Sequence, residues 1–175
     1  MLRPVRALII AVLALGAASC AETQKIDAAG DIHAFLISIR DGDKAAFNAH
    51  VDRAALKTQI RARIMAEAAK RDDRAGDAAL VGVLLGGRLV DSLSDRLIQP
   101  DVFRAVADYL GYKADTPIPN PLVIASALRN LDGGDVCAAR SKTGPCILVF
   151  RNEDGTWRLI GFDGDVGMLR APRLM

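Results

Sequence analysis

The sequence predicts an α+β fold, in which a helical body of about six helices precedes a small antiparallel β-sheet of two or three strands. Apolar residues recur at spacings of three and four as far as about residue 131, which is the period of amphipathic helices. After Asp132-Gly133-Gly134 the spacing becomes two, which is the period of strands. A length of 175 residues indicates one domain, since domains commonly contain about 100–200 residues.

The first 20 residues are typical of a secretory signal peptide, because Arg3 and Arg6 precede a short apolar run, residues 7–15, and small residues follow it. Ala17-Ala18-Ser19-Cys20 resembles a bacterial lipoprotein cleavage box, in which the cysteine becomes the lipidated first residue. We therefore predict export to the periplasm and a lipid anchor to a membrane at Cys20. The alternative is cleavage after Ala21, which leaves a soluble periplasmic protein.

These signals divide the chain into four parts. We predict a signal peptide over residues 1–20, a flexible stem over 21–31, a single α+β domain over 32–163 and a C-terminal tail over 164–175. A lipid on such a stem would tether the domain to a membrane surface without inserting it.

The three cysteines fit an oxidising compartment if one of them is lipidated. Lipidation of Cys20 leaves Cys137 and Cys146 free to pair across a short loop. Such a disulfide would stabilise the domain by about 2–3 kcal/mol in the chain-entropy treatment. The alternative is a pair of reduced, half-buried cysteines.

The first helices are predicted by acidic capping residues that precede apolar stripes. Asp31 begins a helix over residues 31–39, and Asp43 begins a second one over 43–51. Asp52 caps a longer helix, whose buried stripe consists of Leu56, Ile60 and Ile64.

The later helices are predicted by an apolar stretch and by prolines at first helical positions. Asp77 begins the most apolar stretch after the signal peptide, which is hydrophobic on all sides and is typical of a helix in the middle of a core. Pro100 precedes a helix over residues 101–110 that ends at Gly111. Asn120-Pro121 begins another helix, which runs to about Leu131.

The sheet is predicted by a hairpin near the C-terminus. Residues 145–151 and 156–162 alternate in polarity, and the intervening residues 152–155 form a turn cluster that ends in Asp-Gly. A strand around residues 136–140 adds a third member, and it places Cys137 where it can face Cys146. We interpret Trp157, the single tryptophan, as a core residue of the hairpin.

Several of these motifs together resemble a bacterial family of small exported proteins known as domain of unknown function 2939. The resemblance rests on Gly42-Asp43, Val51-Asp52, Leu56-Lys57, Ile60 and Arg63, then on Pro100, and finally on Asp154-Gly155 and Trp157-Arg158-Leu159. It implies that most of the mature chain is one such domain with a short N-terminal anchor. It implies no activity, cofactor or site residue.

Charge and motif content exclude several function classes. The formal net charge is +2, and Arg3 and Arg6 account for it, so the mature chain offers no basic surface for nucleic acid. His33 and His50 have no metal-ligand spacing, and the Asp-Gly pairs are typical of turns rather than calcium loops. Lys142-Thr143-Gly144 lacks the serine and lysine that β-lactamase chemistry requires. We predict no cofactor and no metal.

Two function hypotheses remain from the sequence. The first is a non-catalytic protein of the cell envelope, which contacts the membrane through its lipid anchor and is a binding or structural module for another envelope component, such as another envelope protein. The alternative is a periplasmic enzyme, such as a hydrolase, that uses carboxylates such as Asp163 and Asp165. A deep pocket would favour an enzyme or a small-ligand binder, whereas a filled core with an exposed apolar patch would favour a protein partner.

Overall fold

The computed structural model describes residues 3–71, 87–109, 111–113, 115–139 and 143–162. Within these ranges it contains six helices followed by a four-stranded antiparallel sheet, so the predicted α+β class is confirmed. The helices are α1 (Arg3–Asp41), α2 (Lys44–Ala49), α3 (Arg53–Arg71), α4 (Gly87–Leu97), α5 (Pro100–Tyr109) and α6 (Pro121–Ala127). The strands are β1 (Leu128–Asn130), β2 (Val136–Ala139), β3 (Cys146–Glu153) and β4 (Thr156–Phe162).

Helix α1 differs from the predicted flexible stem over residues 21–31 and from the predicted helix start at Asp31. The helix is continuous through these residues, and Ala28 and Ala29 are fully buried in the core. The indole Nε1 of Trp157 donates a hydrogen bond to Asp27 Oδ2 at 2.8 Å. The backbone nitrogen of Trp157 donates to Asp31 Oδ2 at 2.7 Å. These hydrogen bonds connect the segment to strand β4. Asp31 therefore accepts a hydrogen bond from the hairpin and does not cap a helix.

The predicted caps of the later helices are confirmed. Asp43 Oδ1 accepts hydrogen bonds from the backbone nitrogens of the first turn of α2, and Asp52 Oδ1 accepts from Ala55 at 3.0 Å at the start of α3. Asn120 Oδ1 accepts from Val123 at 3.1 Å, so Pro121 lies at the first position of α6, where its missing N–H costs nothing.

The predicted hairpin is also confirmed. Strands β3 and β4 pair antiparallel, and their turn places Asp154 and Gly155 at φ of 53° and 82°, the left-handed conformation that an Asp-Gly turn supplies. The predicted extension of α6 to about Leu131 is wrong. The helix ends at Ala127, and the next three residues form β1 against β2.

A disulfide joins Cys137 in β2 to Cys146 at the start of β3, as the sequence predicts, with their Cα atoms 5.6 Å apart. It closes the loop between neighbouring strands, and the guanidinium of Arg129 in β1 lies 3.5 Å and 3.3 Å from the two sulfurs. The crosslink therefore joins β2 to β3, and the Arg129 contacts connect it to β1.

The core lies between α1 and the sheet. Phe35 of α1 is fully buried, and its ring contacts those of Phe47, Phe103 and Phe150 at centroid distances of 5.5, 6.0 and 5.9 Å. Trp157 is buried in the core as predicted. The predicted stripe of α3 faces the same core, since Leu56 and Ile60 are buried and Ile64 is half-buried.

Some predictions concern residues outside the described ranges. These are the start of the apolar stretch at Asp77, Lys142 of the Lys-Thr-Gly motif, and Asp163 and Asp165. Among the described helices, none combines the length and the hydrophobicity that a membrane crossing requires.

Candidate functional site

An apolar cavity of about 680 Å³ lies between the helices and one face of the sheet. Its volume is within the range of about 300–1,000 Å³ that is typical of small-molecule sites. Most of its described lining is aliphatic or aromatic, and it comes from all of the larger elements: Ile32, Leu36 and Ile39 of α1, Ile60 and Ile64 of α3, Leu93 and Leu97 of α4, Val102, Phe103 and Val106 of α5, Val123 and Ile124 of α6, and Ile147, Leu148 and Phe162 of the sheet.

The cavity extends from the surface to the middle of the core. At its deep end it contacts Phe35 and Phe150, which are fully buried. It is also lined by Leu93, Tyr112 and Val123, which are 46%, 63% and 53% exposed. The lining therefore includes both surface residues and fully buried core residues.

The connection between α5 and α6 forms one wall of the cavity, and local interactions fix its course. Gly111 ends α5 at a φ of 93°, and the backbone nitrogen of Tyr112 donates to the carbonyl of Ala107 at 2.9 Å. Nδ1 of His33 in α1 lies 2.9 Å from the carbonyl oxygen of Pro119, so this nitrogen carries the proton and donates. The wall is thereby attached to α1.

Charged side chains line the cavity unevenly. Four cations, Arg40, Arg63, Arg104 and Lys113, face one anion, Asp108, among the described lining residues. This imbalance is local, because the sequence as a whole contains 23 basic and 21 acidic residues. An uneven charge inside a low-dielectric wall favours an anionic ligand group.

Two of these cations already have partners. Arg40 donates to both carboxylate oxygens of Asp41 at 2.7 and 3.1 Å. These hydrogen bonds, followed by the charge of Asp41, raise the pKa of Arg40, and the Arg40 hydrogen bonds lower the pKa of Asp41. Arg63 donates to the carbonyl of Phe162 at 2.6 Å, and its guanidinium lies 4.9 Å from the centroid of the Phe162 ring.

The apolar lining of the cavity determines which occupant it favours. Water gains few hydrogen bonds from such a lining, so an apolar occupant is the favourable one.

A second depression on the surface is less suited to a ligand. It is an open polar groove whose lining includes Asp91, Asp95 and Arg96. Asp95 Oδ1 lies 2.8 Å from Lys57 and 2.9 Å from Arg53, and hydrogen bonds first from Lys57 and then from Arg53 lower the pKa of its carboxyl group. Asp91 pairs with Arg61 at 2.7 Å. Asp91 and Asp95 are therefore occupied by cations of α3.

Of the site residues predicted from the sequence, the structure places the two disulfide cysteines away from the described cavity lining. Cys20 lies within the α1 backbone, and Cys137 and Cys146 form the disulfide outside the described cavity lining. Asp163 and Asp165 lie outside the described ranges. Within those ranges there is no cluster of three or more His, Cys, Asp or Glu residues able to hold a metal ion.

Comparison with known proteins identifies the family. The family described as "Protein of unknown function (DUF2939)" matches residues 12–106, which is more than half of the chain. The chain belongs to this family. The match to DUF2939 begins within α1 and ends within α5, whereas the hairpin of Trp157, which contributes to the resemblance in sequence, follows it. No curated protein matches the chain, and no solved structure matches it.

Sequence reasoning missed the cavity in this DUF2939 member because its lining residues have the spacing of ordinary core residues. A weak signal is present in α5, where Arg104 follows Val102 and Phe103 directly on the apolar side of the helix. A second signal is the connection after α5, where the exposed Tyr112 accompanies several prolines.

Proposed function

We propose that the protein is a non-catalytic binding module of the cell envelope that holds a small apolar molecule in the cavity beneath α5 and α6. The observation that supports this proposal is the cavity itself, whose mostly apolar lining includes both exposed and fully buried residues. The described lining offers carbon surface rather than a nucleophile with an adjacent base, so it favours binding over catalysis.

The envelope part of the proposal is supported by the N-terminal sequence and by the disulfide. Disulfides persist in oxidising compartments such as the periplasm, and the Cys137–Cys146 bond joins strands of this domain. A lipid anchor at Cys20 would hold the module beside a membrane, where molecules with long hydrocarbon chains are abundant.

The mass of the mature protein tests the anchor. We expect the protein purified from the membrane fraction of its host to begin at Cys20 and to carry acyl chains on that residue, whereas a Cys20→Ala variant should lack them. Intact-mass spectrometry measures both. A mature chain that begins at Glu22 without lipid would show that cleavage follows Ala21 and would contradict the anchor.

Binding of the neutral dye Nile red tests the cavity. We expect the purified protein to enhance Nile red fluorescence in a saturable way, because the dye exchanges water for the apolar lining. Ala107→Trp on α5 places an indole in the cavity and should reduce Nile red affinity about tenfold or more. The reason is that the indole takes up space in which the dye would otherwise be buried. Ala105→Trp is the matched control, because Ala105 is exposed on the same helix and is absent from the cavity lining.

A second pair of variants keeps the test valid if Ala107→Trp fails to fold. Val123→Trp alters the exposed mouth of the cavity, and Leu122→Trp alters its neighbour, which is 70% exposed and outside the lining. Circular dichroism checks that each variant folds. Equal Nile red binding by both members of each pair would show that the dye does not enter the cavity, and the proposal would be wrong.

A further inference from the structure

We propose that the ligand of this cavity is an amphiphile with one acyl chain and an anionic head group, and that Arg104 and Lys113 bind the head group. This inference rests on the proposed function, since it assigns a chemical class to the molecule held in the cavity. The two side chains line the cavity from α5 and from the connection that follows α5.

Unlike Arg40, which is neutralised by Asp41, Arg104 and Lys113 form no ion pair with a carboxylate in the described part of the chain. Arg104 is half-buried, and its Nη1 donates to the backbone carbonyl of Arg40 at 3.4 Å. That bond uses one of the five N–H groups that a guanidinium presents, so the others remain available for a carboxylate or a phosphate.

Apart from the charged side chains, the described polar groups are confined to Tyr112 and Thr116, and both lie on the same connection as Lys113. The buried lining residues, which include Phe35 and Phe150, are all apolar. A molecule that matches this distribution has one polar end near the connection and a hydrocarbon remainder.

Competition with Nile red provides the test. The purified protein is titrated with sodium dodecanoate, dodecyl phosphate, dodecanol and dodecyltrimethylammonium, which share a chain length and differ in the head group. We expect at least one of the two anions to bind about tenfold more tightly than the alcohol, and the cation to bind least well. A preference for dodecanoate indicates a fatty acid, and a preference for dodecyl phosphate indicates a phosphate-bearing lipid.

Three variants connect this preference to the two cations. Arg104→Gln and Lys113→Gln should each lower the ratio of anion affinity to dodecanol affinity about five- to tenfold, whereas Arg104→Lys should retain most of it. Lys44→Gln is the control for a lost positive charge, because Lys44 lies on α2 outside the cavity lining, and it should leave the ratio unchanged.

The outcomes separate this inference from the proposed function. One outcome is that Nile red binds in the cavity but the four amphiphiles compete equally. Another is that both glutamine variants keep the original ratio of anion affinity to dodecanol affinity. Either outcome would show that the assignment of an anionic ligand is wrong, while the proposal of an apolar binding site would stand. If Nile red does not enter the cavity, both proposals are wrong.

Discussion

Replacing Phe35 by alanine is expected to lower the free energy of unfolding by about 3–5 kcal/mol, the cost of removing a buried phenylalanine from a packed core. Phe35 is fully buried and contacts three other phenylalanine rings, which come from α2, α5 and β3. Its loss therefore weakens the attachment of α1 to three elements at once. Urea denaturation followed by circular dichroism measures the change.

The control for this substitution is Leu122→Ala, which removes an apolar side chain that is 70% exposed and should change the free energy of unfolding by less than about 0.5 kcal/mol. If Phe35→Ala does not fold, Phe35→Leu keeps most of the volume and should show a smaller loss in the same direction. A change below about 1 kcal/mol for Phe35→Ala would contradict the central position of this ring.

Removing residues before Ile32 is expected to lower the free energy of unfolding by about 4 kcal/mol relative to a chain that begins at Ala21. The shorter chain lacks both carboxylates that bind Trp157, and a hydrogen bond to a charged group is worth about 1.5–3 kcal/mol. It also lacks Ala28 and Ala29, whose removal exposes the core surface that they cover.

Point variants of the longer chain separate the contacts of this segment from its length. Asp27→Ala should lower the free energy of unfolding by about 2 kcal/mol, because it leaves the buried indole N–H of Trp157 without its acceptor. Ile26→Ser is the control, since Ile26 is more than half exposed. Equal stability of the two truncated chains would mean that residues 21–31 are the flexible stem that the sequence predicts.

The features that could be predicted from the sequence depend on neighbours along the chain. A cap needs an acceptor within three residues, as at Asp43 and Asp52, and the β3–β4 turn needs only Asp154-Gly155. The disulfide could be predicted because its cysteines are nine residues apart and lie in adjacent strands.

The features that could not be predicted depend on distant partners. Asp27 and Trp157 are 130 residues apart in sequence, and nothing near Asp27 indicates that its helix contacts a strand. Strand β1 is three residues long, which is too short to show alternation, so its pairing with β2 decides its conformation. The cavity is a gap between the helices and the sheet. Its lining residues come from many separate elements, so only the packing of those elements shows where a gap is left.

A crystal structure of the protein grown with dodecanoate tests most directly the claim that the cavity holds a ligand. We expect an acyl chain in the cavity, with its hydrocarbon end near Phe35 and its carboxylate within hydrogen-bonding distance of Arg104 or Lys113. A cavity occupied by the side chains of residues 72–86, with no dodecanoate bound, would contradict the account, because the space would then be part of the protein's own core.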